Sequence, residues 1–340
     1  MATNESYVGT SHNLLNYIGL LFCSGDTSTP FSTLIGGKSR NVQSWKFPTS
    51  LAYQISGGTS QPAITESASL TAPNPEKVTR TQNVNACQIF QRQIKLSYAK
   101  LSSMDQLSGL AIAGEKANPQ NELDFQIAQA LLGMRNDMEY VFLNGAYQDS
   151  GYDDVAYKTK GIIAAISTNA IAAGSTALDF WKVAEAVEKI AEAGAPTNNL
   201  NLLARPVNIM QFNADAAANG LTIVPDGREI NGIRISTIVT PFGEVGIIPS
   251  AKIASGTALI CNPDVCAPVF LDVPGKGNFF VESLGKAGAA DAYQLYGQAG
   301  LDYGAEWYHA KITGLTTSFS APTVNQKVAV VGTVTTQAAQ

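Results

Sequence analysis

Ile127, Leu131, Met134, Met138, Val141 and Phe142 recur at helical spacing between Pro119 and Leu143, which predicts one apolar stripe along a helix of about 25 residues, roughly 37 Å long. Asn121, Asp124, Gln129, Arg135, Asn136 and Glu139 fall largely off that stripe. Asn118 suits the N-cap, Pro119 the first helical position and Glu122 the positive end, while Asn144-Gly145 predicts a left-handed stop. A rod of this length exceeds the core of a small domain and reads as a strut.

Upstream the pattern changes. Leu14 to Phe22 is a short apolar segment, followed by Thr29-Pro30-Phe31-Ser32-Thr33-Leu34-Ile35-Gly36-Gly37, where apolar anchors alternate with breakers. Residues 1–43 therefore read as an arm with anchors but no core of its own. Trp45 and Phe47 alternate with Lys46 and lead into a polar Gly/Ser/Thr/Pro run containing Gly57-Gly58, and strand-like spacing returns from Val84 through Ile89, Phe90, Ile94 and Leu96. Two strands bracketing a long polar tip describe a projecting hairpin. Such a hairpin is marginal alone in water and predicts packing on a neighbour.

Downstream, Gly161-Ile162-Ile163 predicts a strand start. Thr176 with Asp179 reads as a capping box before a helix carrying Phe180, Val183, Val187 and Ile190, with a stop at Gly194. Leu200–Leu203 reads as a buried strand, Pro206 begins a shorter helix through Phe212, and Ile233, Ile235 and Thr237 face Val245, Ile247 and Pro249 across a hairpin turning at Thr240-Pro241-Phe242-Gly243. Further strands are expected at Ala258–Cys261, Val269–Leu271, Tyr293–Gly300 and Trp307–Ile312. Strands mixed with helices over 176–272 predict an α+β unit, and no repeat of 20 to 50 residues is apparent.

Composition narrows the function. The chain has 340 residues and 45 % hydrophobic side chains, enough for one large or two ordinary domains. Only 14 % are charged, against roughly 25 % for an average soluble domain, so the surface is polar but weakly charged and suited to extensive cover by neighbours. A net charge of −5 and a pI near 5.1 provide no field toward a phosphate backbone, which argues against sequence-specific nucleic-acid binding. The opening Met-Ala-Thr-Asn-Glu-Ser lacks a basic region before an apolar run, and no apolar stretch reaches the roughly 20 residues of a membrane span; maturation in a cytoplasm is expected. Cys23, Cys87, Cys261 and Cys266 show no C-x-x-C pair and, with only His12 and His309 as imidazoles, read as buried free thiols.

Reactive motifs are weak. Gly36-Gly37-Lys38-Ser39 ends like a phosphate loop, but Ser32 stands where its first glycine belongs. Ser97-x-x-Lys100 and Ser283-x-x-Lys286 have the spacing of some acylating serines without the companion motifs. His309 sits in an apparent strand and Asp153-Asp154 in a loop, so no catalytic, cofactor-binding or metal-binding residues are assigned.

The order arm, hairpin, long helix, α+β unit and returning strands resembles the major capsid proteins of tailed bacteriophages, the Hong Kong 97-like fold. The phrases that carry the resemblance are Asp26-Thr27 with Thr29–Gly36, Arg80–Asn83 to Gln88–Phe90, Glu122 to Gly145, Phe242–Val245 and Glu282–Gly288, spread over roughly residues 12–317. The resemblance implies an N-arm (1–43), an E-loop (44–100), a P-domain with the spine helix 119–143 (101–175 and 273–317), an A-domain (176–272) and a C-terminal tail (318–340). It also implies an icosahedral shell of hexamers and pentamers around double-stranded DNA, a virion location after assembly in the host cytoplasm, portal and scaffolding partners and, for some members, decoration proteins. No membrane, no cofactor and no enzyme activity are expected, and no isopeptide-forming Lys and Asn pair is apparent. Pro30, Phe31, Leu34, Ile35, Trp45 and Phe47 are the expected inter-subunit contacts; Gly57, Gly58 and Gly145 are the expected hinges. The competing readings are a hydrolase using a Ser-x-x-Lys serine and a surface-array or encapsulating shell protein outside the phages.

Overall fold

The structure is a computed structural model that describes residues 29–53, 61, 63–72, 80–98, 122–150, 154–219, 223–230, 233–286 and 288–319. In chain order the elements are α1 (Pro30–Ile35), β1 (Arg40–Val42), β2 (Lys46–Tyr53), α2 (Glu66–Ser69), β3 (Arg80–Ala86), β4 (Gln88–Ser97), α3 (Glu122–Asn144), α4 (Ile162–Ala165), β5 (Ala170–Ala172) and α5 (Phe180–Glu192). There follow β6 (Leu200–Ala204), α6 (Pro206–Ala218), β7 (Ile223–Ile230), β8 (Ile233–Thr240), β9 (Gly243–Pro249), β10 (Thr257–Cys261), β11 (Ala267–Leu271), β12 (Phe279–Ser283), β13 (Ala290–Asp302) and β14 (Ala310–Thr313). Leu14–Phe22, the expected cap at Asn118-Pro119, Gly57-Gly58 and the tail from residue 320 lie outside the described residues.

Three sheets organise the chain. β13 is the spine of a five-stranded sheet: one edge carries β4 over Ala290–Ala299, and the other carries β12 and then β11, with β1 parallel to β11. α3 lies on this sheet, with Leu131, Met134, Met138 and Phe142 buried against Phe90, Ile94, Phe270 and Leu295 in one cluster. The second sheet has seven strands in the order β5-β14-β10-β6-β9-β8-β7, and its core includes Val183, Val187 and Ile190 of α5 and Phe212 of α6. β2 and β3 form the projecting hairpin as an antiparallel ribbon.

Local chemistry explains most element ends, with corrections. Asp179 is itself the N-cap of α5, accepting the Lys182 N–H at 2.8 Å, so the capping box centred on Thr176 does not form. The C-terminus of α5 is a Schellman motif: Ala195 N–H reaches Ile190 O, Gly194 N–H reaches Ala191 O, and Gly194 has φ 74°. Gly161-Ile162-Ile163 starts the short helix α4 instead of a strand, and Trp307–Ile312 divides into a 3₁₀ turn (Glu306–Tyr308) and β14. α6 continues beyond Phe212 to Ala218. Sheet membership also departs from the expected boundary at 272/273. β11 pairs with β13 beneath the long helix, while β14, from the returning segment, joins β10 in the seven-stranded sheet.

Candidate functional site

The arm is held inside its own chain. Pro30 occupies the first turn of α1 instead of interrupting a helix, because that position needs no N–H donor. Thr29 supplies no side-chain cap. Glu139 of α3 does so from across the fold: its carboxylate accepts the N–H of Phe31 at 2.9 Å and the N–H and hydroxyl of Ser32 at 2.7 and 2.6 Å. One turn away, Arg135 donates to the Thr29 hydroxyl at 3.2 Å. Glu139 is fully buried and Arg135 is 6 % exposed, although both fall off the apolar stripe of the helix. At the other end of the segment, Lys38 donates to Pro263 O and pairs with Asp264 at 2.7 Å, and Asn199 donates to the second oxygen of Asp264. The expected anchors Pro30, Phe31, Leu34 and Ile35 are all buried; the last three join the core under the long helix and are not available as outward contacts in this conformation.

The root of the hairpin is equally built in. Phe47 is 2 % exposed and packs with Cys87 and Val269, so it too is an internal side chain. Trp45 is half-buried and stacks on Tyr157 at 5.3 Å between ring centroids, beside the exposed ion pair Lys46–Asp149. Arg40 of β1 donates to Pro48 O and pairs with Asp302 at 2.7 Å.

Gly145 is a point of close backbone approach. A Cβ there would lie 2.5 Å from Val141 O and 2.6 Å from Thr159 O, and Gly161 stands in the reciprocal position, 2.5 Å from Gly145 N. Two backbones meet where neither tolerates a side chain. Gly145 also lacks the positive φ that a left-handed stop requires. The end of α3 is fixed instead by the Asn144 amide, which donates to Lys252 O and accepts the Ala254 N–H.

Large apolar side chains do remain outside. Ile64 and Leu70, flanking α2 in the hairpin, are 74 % and 85 % exposed, and Leu132 and Tyr140 stand exposed on the outward face of α3. Between β4 and the first half of α3 runs a cleft of about 760 Å³ lined by Arg92, Ile94, Leu96, Gln126, Gln129 and Ala130. Gly133 makes room there for the Arg92 guanidinium, which pairs with Asp137 at 2.5 Å.

The reactive candidates are occupied structurally. His309 is fully buried; Nε2 lies 2.7 Å from Tyr303 O and Nδ1 accepts the Asn262 N–H, and burial lowers its pKa to about 4. Lys286 lies over the Tyr98 ring and near Asp291, Ser283 is exposed at the end of β12, and Lys100 is outside the described residues. Burial pushes the Cys87 thiol up to about 12 and raises those of Cys261 and Cys266 as well. Among the described residues no group of three or more His, Cys, Asp or Glu is placed to hold a metal, and no helix is long and apolar enough to cross a membrane.

Comparison with known proteins agrees with this layout. The family model of the SU10 major capsid protein matches residues 2–316. No curated protein shows significant similarity to the chain. Among solved structures, the SrpI encapsulin complex of Synechococcus elongatus PCC 7942 is similar at TM-score 0.57 and 13 % identity, over 86 % of this chain and 90 % of that one. A chain from Mycobacterium phage Patience follows at 0.56 and 11 %, over 86 % and 85 %, and one from Mycobacterium phage Bobi at 0.53 and 12 %, over 93 % and 97 %. At these identities the structural likeness concerns the fold, which is the Hong Kong 97-like capsid fold. Matched along nearly its whole length, the chain belongs to the SU10 major capsid protein family and is a structural, self-assembling shell protein of the bacteriophage capsid type.

Proposed function

We propose that this chain assembles as hexamers and pentamers into an icosahedral shell that encloses double-stranded DNA of a tailed phage, with α3 as the spine and the β2–β3 hairpin as the E-loop reaching a neighbour. The observation that carries this reading is the pair of exposed apolar sets: Ile64 and Leu70 on the hairpin, Leu132 and Tyr140 on the spine. Burying such side chains between subunits supplies a driving force that grows only on contact, since singly scattered they form no large aggregating patch. Trp45, half-exposed at the hairpin root, is a further contact candidate. Assembly takes place in the host cytoplasm with portal and scaffolding proteins, decoration proteins bind where the phage encodes them, and the DNA is enclosed without sequence specificity. The chain acts structurally and not as an enzyme: Ser283 stands exposed at the end of β12, and Lys286 lies over the Tyr98 ring and near Asp291.

The test is assembly of purified protein, with its scaffold where required, followed by electron microscopy and sedimentation. The expected result is shells or capsomers, lost in Ile64→Ser/Leu70→Ser and in Leu132→Ser/Tyr140→Ser variants that remain folded. Normal shells from both double variants would end the reading of these faces as contacts.

A further inference from the structure

Asn85 lies on β3 directly across the hairpin from Phe47, is fully buried, and makes four hydrogen bonds, three of them to two distant parts of the chain and one to its own neighbour Ala86. Its amide nitrogen donates to Lys160 O at 3.0 Å and to Leu301 O at 2.7 Å, and its oxygen accepts the N–H of Lys160 at 2.7 Å and of Ala86 at 2.9 Å. Both donors and both acceptor positions are used. The Lys160 segment is in turn tied to the end of the long helix, because Gly161 N–H bonds to Gly145 O at 2.8 Å across the close glycine contact. Leu301, on β13, donates to the Thr159 hydroxyl at 3.2 Å and closes the ring. Beside this junction the Phe47 ring and Ala86 O occupy the space above Gly300, where a Cβ would come within 2.8 Å of the ring.

An apolar side chain could fill the same volume, but it would hold no direction. Three directional bonds onto two other backbone segments, at Lys160 and Leu301, fix both the tilt and the twist of β3 as it leaves the body. We propose that Asn85 is a positioning residue for assembly: it sets the direction in which the hairpin departs relative to the long helix, so that a hairpin and the spine of another copy meet in register. The inference rests on the reading of the hairpin as an inter-subunit arm.

The experiment separates direction from stability. Asn85→Ser and Asn85→Ala are compared with a truncation in the second core, far from the hairpin, such as Val187→Ala or Ile190→Val, chosen to match the loss in Tm. The expected result is that at equal Tm the Asn85 variants lose about tenfold in assembled shells, the response to ~1.4 kcal/mol per contact, or form shells of altered diameter, while the control assembles normally. Equal assembly by the Asn85 variants and the control overturns the proposal. So does complete unfolding of Asn85→Ser, which would give Asn85 a role in the fold as a whole. The Ile64→Ser/Leu70→Ser variant distinguishes the two levels. If it assembles normally, the hairpin reading itself fails; if it is blocked while Asn85 variants match the control, only the positioning role fails.

Discussion

The Glu139 carboxylate caps the backbone N–H of Phe31 at 2.9 Å across 108 positions of sequence. The first turn of α1 thus takes its cap from the long helix instead of its own N-terminal residue. Glu139→Ala leaves the Phe31 N–H, the Ser32 N–H and the Ser32 hydroxyl without this acceptor. The expected cost is about 3–5 kcal/mol, read from urea unfolding of the dilute, unassembled chain. A loss below ~1 kcal/mol would show that the arm is held by its apolar side chains alone.

Phe31→Asp should behave like Met138→Asp. Both side chains sit in one buried cluster, so each substitution places a carboxylate in the same core. Both proteins are expected in the insoluble fraction on expression; a soluble, folded Phe31→Asp chain that fails only in assembly would restore the arm as an outward anchor.

The glycines separate close approach from mere presence. Gly145→Ala and Gly161→Ala force a methyl onto backbone atoms within 2.5–2.6 Å and should cost several kcal/mol, roughly at the scale of core overpacking or more. Gly37→Ala meets nothing within 4 Å and needs no positive φ, so it is expected to be neutral or to stabilise by about 0.4–1 kcal/mol. Thermal melts of the three variants decide.

Gly133→Ala is the intermediate case. Its methyl collides with the tip of Arg92, a movable side chain, and displaces it from Asp137. The lost exposed ion pair is worth about 0–1 kcal/mol and the gain in helix propensity about 1, so stability should stay level or rise slightly. A loss above ~2 kcal/mol would mean that Arg92 is held more rigidly than its exposure implies.

Acid should weaken the fold through His309. Burial lowers its pKa from 6.5 to about 4, and its Nδ1 faces the Asn262 N–H, which a second ring proton would oppose. The unfolded chain takes up that proton more readily than the folded one. Stability is therefore complete above pH 6.5 and falls progressively toward pH 4, by roughly 3 kcal/mol from this group. The pH dependence of urea midpoints should flatten over that window in His309→Gln; an unchanged slope would assign the effect to carboxylates.

Periodicity made the helices legible where they are long. The stripe of α3, the face of α5 and the alternation of β8 against β9 each repeat often enough to declare themselves, and Gly194 marks its stop by local chemistry. α1 has only six residues, too few to show a period, and Pro30 reads as a breaker until its place in the first turn is known. The burial of Arg135 and Glu139, off the apolar stripe, is not legible locally because the segment that covers them lies more than a hundred residues upstream. The demand for glycine at 145 arises partly from Thr159, which no local pattern reveals. Strand partners were illegible for the same reason: β11 and β14 are plain apolar runs whose sheet is decided by tertiary pairing.

β3 and β4 are nearly one strand, interrupted at Cys87, and β4 is matched to β13 over ten successive register pairs from Gln88 to Ser97. A pull on the hairpin along its own axis consequently enters the body as shear along this ladder, where many rungs share the load, instead of peeling them apart one at a time. The hairpin is mechanically continuous with β4 and, through the ladder, with β13, and tension between neighbours is carried straight into the layer beneath the long helix.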